Sequence, residues 1–192
     1  MVKNEHNSEK RLFIAIDIPG FMKDNIYGFA AGLWKEDRRI KLVPASNIHI
    51  TLRFLGNKDI SRIVKIEKAI GTTAGSFTGF KYEIEGRVDA FPNLCNARVA
   101  FLKIGNGGRK ISEIYDLLDD NLSRIKIRKE KRKFFPHITI ARIKDKKNIE
   151  EIAGRHLMNT AGVLDCLDIT LFESRLEPHG AEYTVINKFS LR

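Results

Sequence analysis

Two short stretches, "NIHITLRFLG" and "FFPHITIARIK", alternate between apolar and polar residues, a pattern that fits a half-buried strand and not a helix. In the first, Ile48, Ile50, Leu52 and Phe54 share one face, and Asn47, His49, Thr51 and Arg53 share the other. In the second, Ile138 and Ile140 oppose His137 and Thr139. A core accounts for the apolar faces. The polar faces carry more than solubility demands: an imidazole two places from a hydroxyl, twice.

Threonine occurs so sparsely that finding one two places after any given histidine is roughly a one-in-twenty event. Two such matches among the 5 histidines are therefore rare by chance, and both extend to His-Ile-Thr-aliphatic. The other three lack this setting. His6 sits in a charged N-terminal stretch, His156 in a helical stretch and His179 at a turn, and each reads as a surface residue.

A chain of 192 residues with 43% hydrophobic and 9% aromatic content can bury a core. It is expected to form one domain over residues 1–192, with 1–10 as a flexible tail. No run of about 18 apolar residues is present, and "MVKNEHNSEKR" lacks the apolar region of a secretion signal, so a cytoplasmic protein without membrane contact is expected. Cys95 and Cys166 have no CxxC partner and read as small buried hydrophobes. A net charge of +10 and a pI near 9.7 favour a polyanionic partner.

"RLFIAIDIP" opens the chain as a strand stopped by Pro19 and Gly20, and a helix runs on to about Asp37. "NKDISRIVKIEKAIGTTAG" and "GRKISEIYDLLDDNLSRIKI" have helical spacing, and "FKYEIEGRVDAF" and "ARVAFLKI" are strands. "GNGG" at 105–108 lacks the Lys-Ser/Thr of a phosphate loop and reads as a turn. "DKKNIEEIAGRHLM" forms a short helix, and "LDITLFESRLEPHGAEYTVINKFSLR" forms two strands joined at "EPHG". Short strand-to-strand connections favour an α+β fold with antiparallel sheets. Because each half of the chain carries a His strand followed by a helical segment, two similar lobes around a central cleft are expected.

Two imidazoles across a cleft suit displacement at phosphorus: one takes a proton from the attacking oxygen while the other protonates the leaving oxygen. With an unperturbed pKa of about 6.5, both protonation states coexist near neutral pH. Thr51 and Thr139 can donate to phosphate oxygens. Arg53 and Arg142 can supply charge, although Arg142 has the parity of the apolar face and needs a bulge to reach the cleft. A metal site wants a third ligand that neither stretch supplies, and no serine or cysteine nucleophile has its usual elbow. The basic run 126–133 can touch an RNA backbone or remain a solvated loop.

In order along the chain, "RLFIAIDIP", "NIHITLRFLG", "FPNLCNARVAFLKIG", "FFPHITIARIK" and "LFESRLEPHGAEYTV" resemble the RNA 2′,3′-cyclic phosphodiesterases, also called 2′-5′ RNA ligases, of the two-histidine phosphoesterase superfamily. The resemblance implies two pseudo-symmetric lobes, each an antiparallel sheet with flanking helices. It implies metal-independent hydrolysis of an RNA 2′,3′-cyclic phosphate to a 2′-phosphomonoester, without cofactor, and 2′-5′ ligation as the reverse chemistry. It assigns His49 as acid and His137 as base, with Thr51, Thr139 and Arg142 on the phosphate. Phe13 is a candidate to stack on a base, a core position being the alternative. The partner is an RNA with a cyclic phosphate end, tRNA fragments among the candidates, and a monomer is the default. Two alternatives stay open: a phosphodiesterase of small cyclic nucleotide phosphates, and a non-catalytic module that binds RNA ends.

Overall fold

The structure, a computed structural model, describes residues 9–34, 36–155, 158, 162–178 and 180–192. His6, His156 and His179 lie outside the described residues, as does most of the expected tail. Its last two residues, however, are strand, and Lys10 pairs with Glu173 at 2.7 Å.

The chain runs β1 (Glu9–Asp17), α1 (Gly20–Trp34), β2 (Ile40–Leu42), β3 (His49–Asp59), α2 (Ile63–Ala74), β4 (Phe80–Phe91), β5 (Ala97–Ile104), α3 (Gly108–Arg124), β6 (His137–Lys147), α4 (Glu150–Arg155), β7 (Val163–Cys166), β8 (Asp168–Glu177) and β9 (Gly180–Ser190). The strands form one antiparallel sheet in the order β7-β4-β5-β6-β3-β1-β8-β9, with β2 beside β6. Strand β2 has no counterpart in the sequence reading, because three residues are too few to show a period.

The sheet divides at its middle. One half is β3-β1-β8-β9 and the other β6-β5-β4-β7, and they meet through a single registered pair, Ile50 opposite Ile138. These are the two expected lobes, but they are not the two halves of the chain. The C-terminal hairpin β8-β9 crosses back to join β1, so the His49 lobe is built from both ends of the sequence. Helices also cross over: α1 packs on β2 and β6, whereas α3 packs with α2 against the lobe that holds β3 and β8.

Alternation puts Ile14, Ile50, Leu102, Ile138 and Ile169 on the helix-covered face, where each is fully buried. Each such side chain contributes about 1.5–3 kcal/mol by leaving water. The "GNGG" segment is the expected turn into α3, where Gly107 adopts φ 83° and a Cβ would lie 2.5 Å from the Lys81 carbonyl oxygen. Only glycine fits there. Of the two cysteines, Cys166 is buried as expected, but Cys95 is exposed on a short 3-10 turn, Leu94–Asn96, and is not a core residue.

Candidate active site

Strands β3 and β6 begin at the two histidines and repeat each other. Their burial patterns match residue for residue over the first nine positions. Each is bulged at the same place. Opposite β1, Ile14 pairs with Arg53 but Ala15 with Thr51; opposite β5, Ala100 pairs with Ala141 but Phe101 with Thr139. One residue in each strand, Leu52 or Ile140, is therefore extra, and a bulge of this kind reverses which face the following residues occupy.

That reversal settles the two arginines. Ile140 and Ala141 are both buried, and Arg142 emerges into the cleft beside His137 and Thr139. The bulge required by its parity is present. Arg53 goes the other way. It is 9% exposed on the helix side, ion-paired to Asp119 at 2.9 Å and Glu130 at 3.3 Å, and donates to the Arg128 carbonyl. Arg53 thus braces the basic loop and does not reach a phosphate in the cleft. The cleft position equivalent to Arg142 in β3 is Phe54, 59% exposed.

The cleft has a volume of about 380 Å³, and His49, Thr51, His137, Thr139 and Arg142 all line it. The two histidines are anchored alike. His49 Nδ1 donates to the Asn47 carbonyl oxygen at 2.9 Å, and His137 Nδ1 donates to the Phe135 carbonyl oxygen at 2.7 Å. A carbonyl only accepts, so Nδ1 carries the hydrogen and the neutral ring keeps its lone pair on Nε2. They differ at Nε2. That of His49 accepts from the Thr51 hydroxyl at 2.8 Å, and among the described residues His137 Nε2 has no such partner.

Burial lowers the pKa of both. For His49 it pushes the value from 6.5 to about 4, with Lys23 and His137 adding repulsion and Asp17 opposing them. His137 is also lowered by burial, against its bond to the Phe135 carbonyl. In the unliganded protein both imidazoles are therefore neutral near pH 7.

Aromatic rings form the walls behind the histidines. Phe13 of β1 lies 4.9 Å from the His49 ring and stacks on Phe172 at 5.0 Å; Phe101 of β5 lies 5.1 Å from His137 and stacks on Phe91 at 4.3 Å. At 1% exposure Phe13 is closed to a nucleobase, so its core position prevails over the stacking role. Residues that the sequence reading missed also line the cleft: Lys41 of β2, opposite Arg142, and Tyr183 of β9, 5.5 Å from His49. Tyr183 is brought there by the C-terminal hairpin, whose second strand is tied down near its start by Asn47 Nδ2 donating to the Ala181 carbonyl at 2.6 Å. Among the described residues no three His, Cys, Asp or Glu side chains gather as a metal site.

Two antiparallel strands presenting His-x-Thr to one cleft, each at the inner edge of its own lobe where the lobes meet, define the architecture of a two-histidine phosphoesterase. The chain belongs to the 2′-5′ RNA ligase superfamily, whose family model matches residues 23–175. It is 32% identical over 182 residues to an RNA 2′,3′-cyclic phosphodiesterase of Methanocaldococcus jannaschii, covering 93% of this chain and 99% of that one. A protein of the same name from Aeropyrum pernix is 34% identical over 150 residues, covering 77% and 84%. Among solved structures it is similar to TT0787 of Thermus thermophilus, with a TM-score of 0.79, 27% identity and coverage of 95% and 98%. The fold is also that of Escherichia coli LigT complexed with 3′-AMP, at a TM-score of 0.78, 24% identity and coverage of 95% and 98%.

Proposed function

We propose that this chain hydrolyses the 2′,3′-cyclic phosphate at an RNA end to a 2′-phosphomonoester, with His137 as general base and His49 as general acid. The family and the name shared by its relatives support cyclic phosphodiesterase chemistry. The observation that carries the mechanism is the pair of Nδ1-anchored imidazoles lining one cleft.

His137 Nε2 takes a proton from water as its oxygen attacks phosphorus. The P–O3′ bond breaks, and His49 gives the proton on its Nε2 to O3′. The unoccupied Nε2 of His137 suits the base. His49 acts as acid only once protonated, and the bound phosphodiester anion supplies the attraction that raises its depressed pKa. The Thr51 hydroxyl then rotates from donor to acceptor. Thr139 and Arg142 hold the non-bridging oxygens, as a guanidinium fork does well. Lys41 adds positive charge to the same wall.

The whole chain acts as a single bilobal domain, and because one copy supplies both histidines, a monomer suffices. Halves of cleaved tRNA in the cytoplasm are candidate substrates. No helix among the described residues is long and apolar enough to cross a membrane.

The test is incubation with a short RNA ending in a 2′,3′-cyclic phosphate, with EDTA present, followed by identification of the monoester. The expected result is a 2′-phosphate that disappears in both His49→Ala and His137→Ala. A 3′-phosphate would overturn the assigned leaving group, and RNA binding without any product would overturn the enzymatic reading.

A further inference from the structure

Beyond His137 the cleft continues across Phe91 into an open groove of about 520 Å³ that also includes Phe135. Both rings are unusually exposed for phenylalanine, 38% and 41%. They stand nearly perpendicular, at 87° with centroids 6.3 Å apart, and lie 5.2 and 6.5 Å from the His137 ring. Phe101 stacks under Phe91 at 4.3 Å and is only 2% exposed, so the shelf rests on core and is not a mobile fringe.

Packing against His137 accounts for one side of each ring, but hydrolysis gives their exposed faces nothing to do. Water attacking from the His137 side needs a base and a path, and two exposed phenylalanines beside that path cost hydration free energy. The other side of the phosphate has its own aromatic residues, Phe54 and Tyr183, in the wall next to His49. With His49 as the proposed acid, the nucleotide whose O3′ leaves lies on that side. An exposed, supported aromatic face next to a phosphate site is the feature on which unpaired bases stack.

We propose that Phe91 and Phe135 form a stacking site for a second nucleoside, which presents a free 5′-hydroxyl to phosphorus from the His137 side. The inference rests on the reading above that His137 is the base. The groove also contains Glu150, together with Asp89 and Lys103, which offset each other as an ion pair at 2.6 Å. The Glu150 carboxylate disfavours a 5′-phosphate and leaves a 5′-hydroxyl end unopposed. In the corresponding reaction the 5′-oxygen bonds to phosphorus and its proton passes to His137 Nε2. The P–O3′ bond breaks, and His49 protonates O3′, so that a 2′,5′ linkage forms with no other reactant.

The experiment is a partition measurement on the full chain. RNA ending in a 2′,3′-cyclic phosphate is mixed with excess adenosine, and the initial ratio of 2′,5′-joined product to 2′-monoester is read for the unaltered protein, Phe135→Ala and Phe135→Trp. Because every turnover goes to water or to the nucleoside, the ratio does not depend on how much protein is folded. Loss of one stacking partner is expected to lower the ratio roughly tenfold in Phe135→Ala, with Phe135→Trp retaining it. Equal ratios in all three proteins overturn the proposal, as does hydrolysis with no joined product from the unaltered protein. A ratio that falls in Phe54→Ala and not in Phe135→Ala overturns it too, placing the nucleoside on the His49 side. Absence of monoester even without adenosine overturns the hydrolytic reading itself, and this inference with it.

Discussion

Ile50 faces Ile138 as the single registered pair between β3 and β6, and each is fully buried. Since His49 and His137 directly precede these isoleucines, one apolar contact under the cleft sets the placement of both imidazoles above it.

The two histidines should each be indispensable, and their titration should respond to substrate. His49→Ala and His137→Ala are expected to lower kcat by about two to four orders of magnitude without loss of fold by circular dichroism. Both pKa values are depressed in the free protein, and the substrate anion raises them. The bell-shaped profile of kcat should therefore lie at higher pH than that of kcat/KM. Superimposable profiles would show that bound phosphate does not recharge His49.

Acid should weaken the fold earlier than its carboxylates require. With a folded pKa of about 4 against the ordinary 6.5, His49 refuses a proton that the unfolded chain accepts throughout that window. Stability is therefore complete above the unfolded value and falls as pH drops from 6.5 toward 4, by on the order of 3 kcal/mol. His137 is shifted in the same direction. Urea midpoints measured between pH 4.5 and 7 should rise with pH, with a shallower slope in His49→Gln. A flat profile in the unaltered protein contradicts the account.

Thr51 and Thr139 should not behave alike. Only Thr51 touches its histidine, at 2.8 Å. Thr51→Val should reduce kcat by about tenfold, while Thr139→Val should mainly raise KM, as expected of a group that binds ground and transition states alike. Steady-state kinetics on a cyclic-phosphate RNA decides the matter. Identical kcat and KM changes would remove the distinction.

Arg142→Gln should raise KM by about ten- to a hundredfold and flatten its dependence on salt, because a cation on the phosphate is lost. Arg142→Lys should recover only part of this, having no planar fork. If the glutamine variant keeps both the KM and the salt slope, Arg142 does not hold the substrate.

Arg53 predicts a stability effect and not a binding one. Removing it leaves Asp119 buried beside an apolar core without its cation, at a cost of about 3–5 kcal/mol for Arg53→Met. The double variant with Asp119→Leu should recover much of that in urea unfolding. A single variant as stable as the parent would show that the pair is dispensable.

Alternation was enough to place both histidine strands, their threonines and the antiparallel α+β character, because a period of two survives in any short window. Arg142 shows where parity stops. One extra residue, Ile140, reverses the face, and no local pattern announces it. Arg53 is misplaced by the matching bulge at Leu52, and for Phe13, read as either a stacking or a core residue, the packing of Phe172 of β8 decides for the core. Tyr183 and Phe91 come to the cleft from strands distant in sequence. The signal for Tyr183 lay in "EPHGAEYTV", a turn followed by alternation, but only the crossing of the C-terminal hairpin to β1 says which histidine it meets.

The matched bulges have one more implication. About the Ile50–Ile138 contact the two histidine strands are near copies laid head to tail, so the backbone frame is almost indifferent to which imidazole starts a reaction and which finishes it. On the proposed mechanism, directionality resides in the positions at which the copies disagree. Among them are Phe54 against Arg142, Arg53 against Ala141, the hydroxyl held by one Nε2 and absent from the other, and Asp17 opposite His49 where Lys103 lies opposite His137. A catalyst of this design can be steered toward making or breaking the same bond by changing a handful of side chains, while its core stays untouched.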